Sequence, residues 1–156
     1  MLTVEIPNEH PLQFNYLVMD YNGTLACDGQ LYSGVKRRLL RLGAQLELHV
    51  LTADTFGSAG RELQGLPCQL SILAPDQQAQ QKRHYVEQLG CQQTVTIGNG
   101  RNDHEMLKAA VLGIIVLQEE GAAVETLLAA DIMAPNILVA LDLLLTPQRL
   151  VATLRR

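Results

Sequence analysis

Tyr16-Leu17-Val18-Met19-Asp20-Tyr21-Asn22-Gly23-Thr24-Leu25 is an apolar run that delivers one carboxylate, Asp20, into a glycine-containing turn. A strand buried on both faces of a parallel sheet reads as such a continuous apolar segment, and ligands of open α/β sheets sit beyond the carboxyl ends of the strands. Asp20 stands at such an end, where a carboxylate is placed to act as a nucleophile. Gly23 permits a sharp reversal, and the amides around Asn22 to Thr24 can converge on an anionic group as a backbone nest. The same ten residues also fit a plain strand followed by an Asx-type turn.

Outward from this stretch, apolar runs alternate with segments of helical period. The pattern predicts strands at 16–20, 46–51, 69–74, 94–97, 111–117 and 131–133. It predicts helices at 34–42, 55–64, 77–89, 103–110, 121–129 and 136–145, with a basic amphipathic piece over 148–156. Such alternation implies an α/β fold, a parallel sheet between two helical layers, with residues 1–156 as a single domain. Glycines and prolines punctuate the segments, and residues 1–15 read as a leading strand or hairpin.

The chain has 156 residues, 47% of them apolar, enough for one proper core. Its net charge of −4 and lack of a basic block disfavour a nucleic-acid partner. Cys27, Cys68 and Cys91 are odd in number and lack zinc-site spacing, which fits reduced, core-packing thiols in a cytoplasmic protein. No basic segment followed by an apolar stretch suggests a secretory signal, and no apolar run approaches the ~18 residues that would span a membrane. The stripes Leu143-Leu144-Leu145 and Leu150/Val151/Leu154 face either the core, the favoured reading, or a homo-oligomer contact.

Three further strand ends carry chemistry. After Leu48-His49-Val50-Leu51 comes Thr52, then Ala53 and Asp54. The Thr52 hydroxyl either binds a phosphoryl oxygen or is an ordinary strand end, with Asp54 as helix N-cap. Lys82 precedes Tyr85, Val86 and Leu89 by three, four and seven residues, so it shares the apolar face of its helix. There it either snorkels outward or neutralises an anion. Finally, Val95-Thr96-Ile97 runs into Gly98-Asn99-Gly100-Arg101-Asn102-Asp103 and then a helix. The glycines allow close backbone approach, but the loop is a poor dinucleotide fingerprint because the third glycine is absent.

In order and spacing, these four stations resemble the haloacid dehalogenase (HAD) superfamily over roughly residues 16–134. Asp20-Tyr21-Asn22-Gly23-Thr24-Leu25 is similar to its nucleophile loop, Thr52 to its second motif, Lys82 to its third, and Gly98 to Asp103 to its acidic fourth. The resemblance implies a Rossmann-like three-layer α/β/α sandwich, a Mg²⁺ ion, and attack of Asp20 on a phosphoryl group to give an aspartyl-phosphate. It also implies that Asp20, the main-chain carbonyl of Asn22, Asn99 and Asp103 hold the metal. Asn22, Gly23, Thr52, Ala53, Lys82 and Asn102 would bind phosphate. Within the superfamily, Asp-x-x-Gly-Thr and Gly-Asn-Gly-x-Asn-Asp are most similar to the soluble relatives of the P-type ATPase phosphorylation domain.

Two departures bear on activity. Asn22 occupies the position of the usual general acid and base, and an amide cannot exchange a proton at neutral pH, so breakdown of the intermediate is expected to be slow. Asn99 stands where the family commonly has a metal-binding Asp. About 27 residues separate Thr24 from Thr52 and about 29 separate Thr52 from Lys82, too few for a cap domain in either gap. An uncapped site is open to solvent and suits a large substrate, a phosphoprotein, or closure by a neighbouring subunit; the expected partner is a phosphorylated small molecule or phosphoprotein. The sequence therefore points to a capless Mg²⁺-dependent phosphohydrolase or phosphotransferase. The competing expectation is a catalytically weakened module that binds a phosphorylated ligand or partner protein and regulates it, with a binding-only Rossmann domain third.

Overall fold

Residues 1–54 and 57–156 are described in a computed structural model. A short antiparallel hairpin, β1 (Leu2–Val4) and β2 (Leu12–Phe14), leads into β3 (Tyr16–Asp20). A two-stranded flap follows, β4 (Ala26–Cys27) and β5 (Gln30–Leu31), then α1 (Val35–Leu42), β6 (Glu47–Thr52), α2 (Ser58–Glu62) and β7 (Cys68–Ile72). The second half runs α3 (Gln78–Leu89), β8 (Thr94–Gly98), α4 (His104–Ala109), β9 (Leu112–Val116), α5 (Val124–Ala129), β10 (Ile132–Ala134), α6 (Ile137–Leu145) and α7 (Pro147–Leu154).

The expected parallel sheet is present, with six strands in the order β10-β9-β8-β3-β6-β7. Strand β3 is central, pairing in parallel with β6, where Asp20 lies opposite Leu51, and with β8, where Met19 lies opposite Ile97. From β3 the chain moves outward through β6 and β7, then returns to the other side of β3 to lay down β8, β9 and β10. The direction of winding thus reverses between β3 and β8, and there a crevice opens at the carboxyl ends of the strands.

Both faces of the sheet are covered because its strands are apolar on both sides. Leu17 and Met19 of β3 join the larger core cluster under α1, α6 and α7, while Val18 joins a second under α3 and α4. Helix α1 buries Val35, Leu39 and Leu42, a stripe of helical spacing. Each such leucine, fully buried, contributes roughly 1.5–3 kcal/mol. Asn136 caps α6 by accepting a hydrogen bond from the Val139 amide, and the Arg38 guanidinium ties α1 to α6 through both oxygens of Asp142 at 2.8 and 2.7 Å.

Leu143, Leu144 and Leu150 are buried, and Leu145, Val151 and Leu154 pack against the same cluster, so the leucine stripes face the core. No described helix is long and apolar enough by itself to cross a membrane. The predicted helix 55–64 is shorter, Ser58–Glu62, and residues 55 and 56 of that expectation lie outside the described residues. The helix expected over 103–110 begins as a single 3₁₀ turn, Arg101–Asp103, before α4.

Candidate active site

Asp20 ends β3 with 7% of its surface exposed. The following residues fold into a tight loop because the Tyr21 carbonyl accepts from the amides of Thr24, Leu25 and Ala26 at 3.2, 2.9 and 3.0 Å, while the Gly23 amide donates to Ala26 O. Gly23 has φ 79°, and a Cβ there would come within 2.5 Å of both the Asn99 amide and the Glu120 carboxylate. Both effects demand glycine. The loop geometry corrects one expectation: the Gly23 and Thr24 amides close the turn and do not converge on an anion.

Lys82 reaches the crevice from α3, on the face that also buries Val86. Its Nζ donates to Asp20 Oδ1 and to Asp103 Oδ1, each at 2.6 Å, and its side chain is 1% exposed. The lysine therefore does not snorkel. Asp103 is fully buried, and its Oδ2 accepts from the amides of Asn99 and Gly100, both at 2.9 Å. The carboxylate thereby holds the fourth loop in shape and Lys82 in place.

Two carboxylates and one ammonium, all nearly removed from water, form an arrangement that contributes little stability of its own, because desolvation offsets the attraction. Such groups beneath a cavity mark a functional site. Burial first, then the Asp103 charge, push the Asp20 carboxyl up to about 6 despite the opposing pull of Lys82 and the hydrogen bond from Thr24. Burial works against the Lys82 charge, yet Asp20 and Asp103 hold its ammonium above the ordinary lysine range.

Thr24 Oγ1 lies 3.1 Å from Asp20 Oδ2 and 3.3 Å from Asn99 Oδ1, so its hydroxyl links the first and fourth loops. Thr52 is buried at the end of β6 and its Oγ1 accepts from the Asp54 amide at 3.1 Å, leaving the hydroxyl proton to donate. Asp54 accepts from the Ala59 amide at 2.8 Å, in the first turn of α2, but the N-cap of that helix is Gly57 and not Asp54 as expected, because the helix begins only at Ser58. A cavity of about 280 Å³ opens above the triad, lined by Asp20, Asn22, Ala53, Lys82, Asn99 and Asn102, with Gln78 and Glu120 at its walls. Thr52 and Gly23 do not line it. Larger open grooves, about 770 Å³ along α3 and α4 and about 580 Å³ beside Tyr32 and Ile137, lack buried paired charges.

The donors facing the cavity from Asp20, Asn22 and Asn99 are hard oxygens with neither imidazole nor thiolate among the lining residues, which fits magnesium better than zinc or copper. Among the described residues no three His, Cys, Asp or Glu side chains converge on one point.

No family model matches the chain. Two Methanocaldococcus jannaschii proteins match it in sequence: the uncharacterized protein MJ0073, 52% identical over 61 residues, and the uncharacterized protein MJ0072, 46% identical over 39 residues. These matches cover 39% and 25% of this chain, and 66% and 89% of the archaeal proteins. The chain belongs to one sequence family with them. Among solved structures, the 3-deoxy-D-manno-octulosonate 8-phosphate phosphatase of Moraxella catarrhalis, in complex with magnesium, phosphate and the sugar acid, superposes with TM-score 0.69 at 17% identity, covering 91% of this chain and 94% of that one. The cobalt-bound phosphatase of Haemophilus influenzae gives TM-score 0.71 at 15% identity, covering 92% and 94%. A Legionella pneumophila protein assigned to subfamily III A of the HAD superfamily gives 0.70 at 16% identity, covering 91% and 87%.

The chain has a capless HAD fold. On this scaffold the four expected stations, Asp20, Thr52, Lys82 and the 98–103 loop, come together at the carboxyl ends of β3, β6 and β8. Three residues were not foreseen. Gln78 opens α3 one turn before Lys82 and accepts from Asn102 Nδ2 at 2.7 Å, and that i, i+4 spacing was the available signal. Gln118 donates from Nε2 to the carbonyls of Gly23 and Thr24, both at 2.9 Å, and accepts from the Ile137 amide at 2.9 Å, clamping the loop after β3 to the start of α6. Glu120 follows on the same loop.

Proposed function

We propose that the protein is a magnesium-dependent phosphohydrolase or phosphotransferase in which Asp20 is the nucleophile. The observation that carries this is Lys82 Nζ at 2.6 Å from both Asp20 and Asp103 beneath an open, polar cavity. A carboxylate oxygen of Asp20 attacks phosphorus and forms the aspartyl-phosphate bond as the phosphorus–oxygen bond to the leaving group breaks. Lys82 counters the charge that gathers between nucleophile and phosphoryl oxygens, while Thr52, which does not line the cavity, holds the end of β6 through the Asp54 amide. Asn102 and Ala53 line the cavity where the phosphoryl group would sit. Bound Mg²⁺ would add positive charge between the two anions. Asp20, the Asn22 carbonyl and Asn99 would hold it, with Asp103, its oxygens engaged elsewhere, contributing charge from behind.

Asn22 cannot donate a proton to the leaving group or take one from water. The first step therefore favours substrates whose leaving group departs without protonation, and hydrolysis of the intermediate limits turnover. Restoring a carboxylate with Asn22→Asp is expected to speed breakdown of the intermediate ~10-fold or more, within the ~10²–10⁴ of general acid–base catalysis. A decay rate unchanged or slower favours the second reading, a regulatory module that keeps a phosphoryl group or binds a phosphorylated partner. A panel of phosphate esters, acyl phosphates and phosphoanhydrides, assayed with Mg²⁺ on wild type and Asp20→Asn, tests the proposal. Turnover that survives in Asp20→Asn removes Asp20 from the chemistry.

A further inference from the structure

Asp20 and Glu120 are the only carboxylate residues among the described residues lining the cavity, and their positions are linked. Asp20 Oδ1 is taken by Lys82, so a cation meets Asp20 at Oδ2, the side occupied by Thr24 and Asn99. Glu120 shares that side. Its Oε2 and the Asn99 Nδ2 each fall 2.5 Å from one point above Gly23, hence within about 5 Å of each other.

The loop bearing Glu120 is fixed on both flanks. Two residues before, Gln118 is bonded to Gly23 and Thr24; directly after, the Gly121 carbonyl accepts from Asn99 Nδ2 at 3.1 Å, and the Ala123 amide donates to the Asn99 carbonyl at 2.9 Å. An aspartate at position 99 would set a carboxylate against the Gly121 carbonyl with no proton between them. The amide at 99 thus gives up a negative charge and gains the clip that brings another one to the mouth.

We infer that Glu120 is the second carboxylate of the magnesium site, taking the part that Asn99 cannot. This rests on the proposed reading of the cavity as a metal-assisted phosphoryl-transfer site. Magnesium is commonly held by one or two carboxylates plus phosphate oxygens, and with Asp103 committed to Lys82 and loop amides, Glu120 completes the pair.

Calorimetric titration with MgCl₂ alone, at fixed ionic strength, tests this on wild type, Glu120→Gln, Glu119→Gln and Asp20→Asn. Glu120 and Glu119 are both exposed, so the two glutamine variants are expected to fold, which thermal unfolding checks. Glu120→Gln is expected to bind Mg²⁺ about 10–100-fold more weakly. Glu119→Gln, which removes the same charge one residue away, is expected to bind as wild type does. An unchanged dissociation constant in Glu120→Gln, or equal losses in both glutamine variants, overturns the inference while leaving the metal site standing. Wild type that binds no Mg²⁺, or binds it as well with Asp20→Asn, overturns the metal reading and this inference with it.

Discussion

Helix α3 offers two polar side chains, Lys82 and Tyr85, one turn apart to the same face of the sheet, and they meet opposite electrical surroundings. Lys82 enters a cluster of full charges, two carboxylates and an ammonium joined by 2.6 Å hydrogen bonds. Tyr85 enters a neutral one: its hydroxyl lies 2.9 Å from His49 Nδ1 and 3.4 Å from Ser71 Oγ, and the His49 ring is flanked by Tyr16 and Tyr85 at centroid distances of 5.9 and 5.5 Å. His49 is buried, and its Nε2 has no hydrogen-bond partner among the described residues, although Glu47 Oε1 lies 3.3 Å away. Burial lowers its pKa, against the pull of Glu47. A buried polar group that stays neutral can be built for packing alone, whereas paired charges kept beneath a cavity make a candidate site for chemistry.

The largest expected effect comes from removing the charge at the centre of the first cluster. Lys82→Met leaves Asp20 and Asp103 facing each other without a counter-ion, and is expected to abolish phosphoryl transfer and to cost about 3–5 kcal/mol at pH 8. The cost shrinks toward pH 5 as Asp20 takes up a proton. Denaturant unfolding at the two pH values measures this, and a loss equal at both would detach the penalty from Asp20.

A smaller effect, of opposite sign, is expected from Asp20, the proposed nucleophile. Because the Asp20 carboxyl rises from 3.8 to about 6 on folding, its favourable contribution is complete below about pH 4 and is lost as pH rises through 6. In Mg²⁺-free buffer, Asp20→Asn should therefore be more stable than wild type at pH 8, by up to about 3 kcal/mol. The gap should close below pH 4. A variant less stable than wild type at pH 8 would mean that the Lys82 pairing outweighs burial.

The neutral cluster should respond least and in the other direction. His49 has a folded pKa below its unfolded value, so its contribution is complete above pH 6.5 and lost as pH falls, when the unfolded chain takes up a proton that the folded one refuses. His49→Phe should stay within about 1 kcal/mol of wild type at pH 8 and remove that acid-side decline. If the decline between pH 6.5 and 5 persists unchanged in His49→Phe, another group carries it.

How far these clusters were legible in the sequence follows from the range of the signals. Asp20 and the 98–103 loop announce themselves locally, as apolar strands running into glycine-bearing turns, and Lys82 by its spacing to Val86 and Leu89. The parallel sheet follows from the alternation of elements, and strand bounds shifted by only a residue or two because backbone pairing and apolarity end together there. Gln118 and Glu120 sit in a polar stretch after β9 that reads as an ordinary loop. Their role exists only once that loop is laid against Gly23, a residue some ninety-five positions earlier than Gln118. His49 was hidden for a different reason: one polar residue in an apolar strand leaves the period unchanged. The engagement of Asp103 was equally out of reach, since no spacing tells whether a carboxylate faces a metal, a lysine or its own loop.

The most direct test of the central claim is intact-mass analysis after incubation with acetyl phosphate and Mg²⁺, followed by peptide mapping under acidic conditions that preserve an acyl-phosphate. Wild type is expected to gain one phosphoryl group, on Asp20, and Asp20→Asn none. Equal labelling of the two proteins, or a phosphoryl group mapped to any other residue, would contradict the assignment of Asp20 as nucleophile.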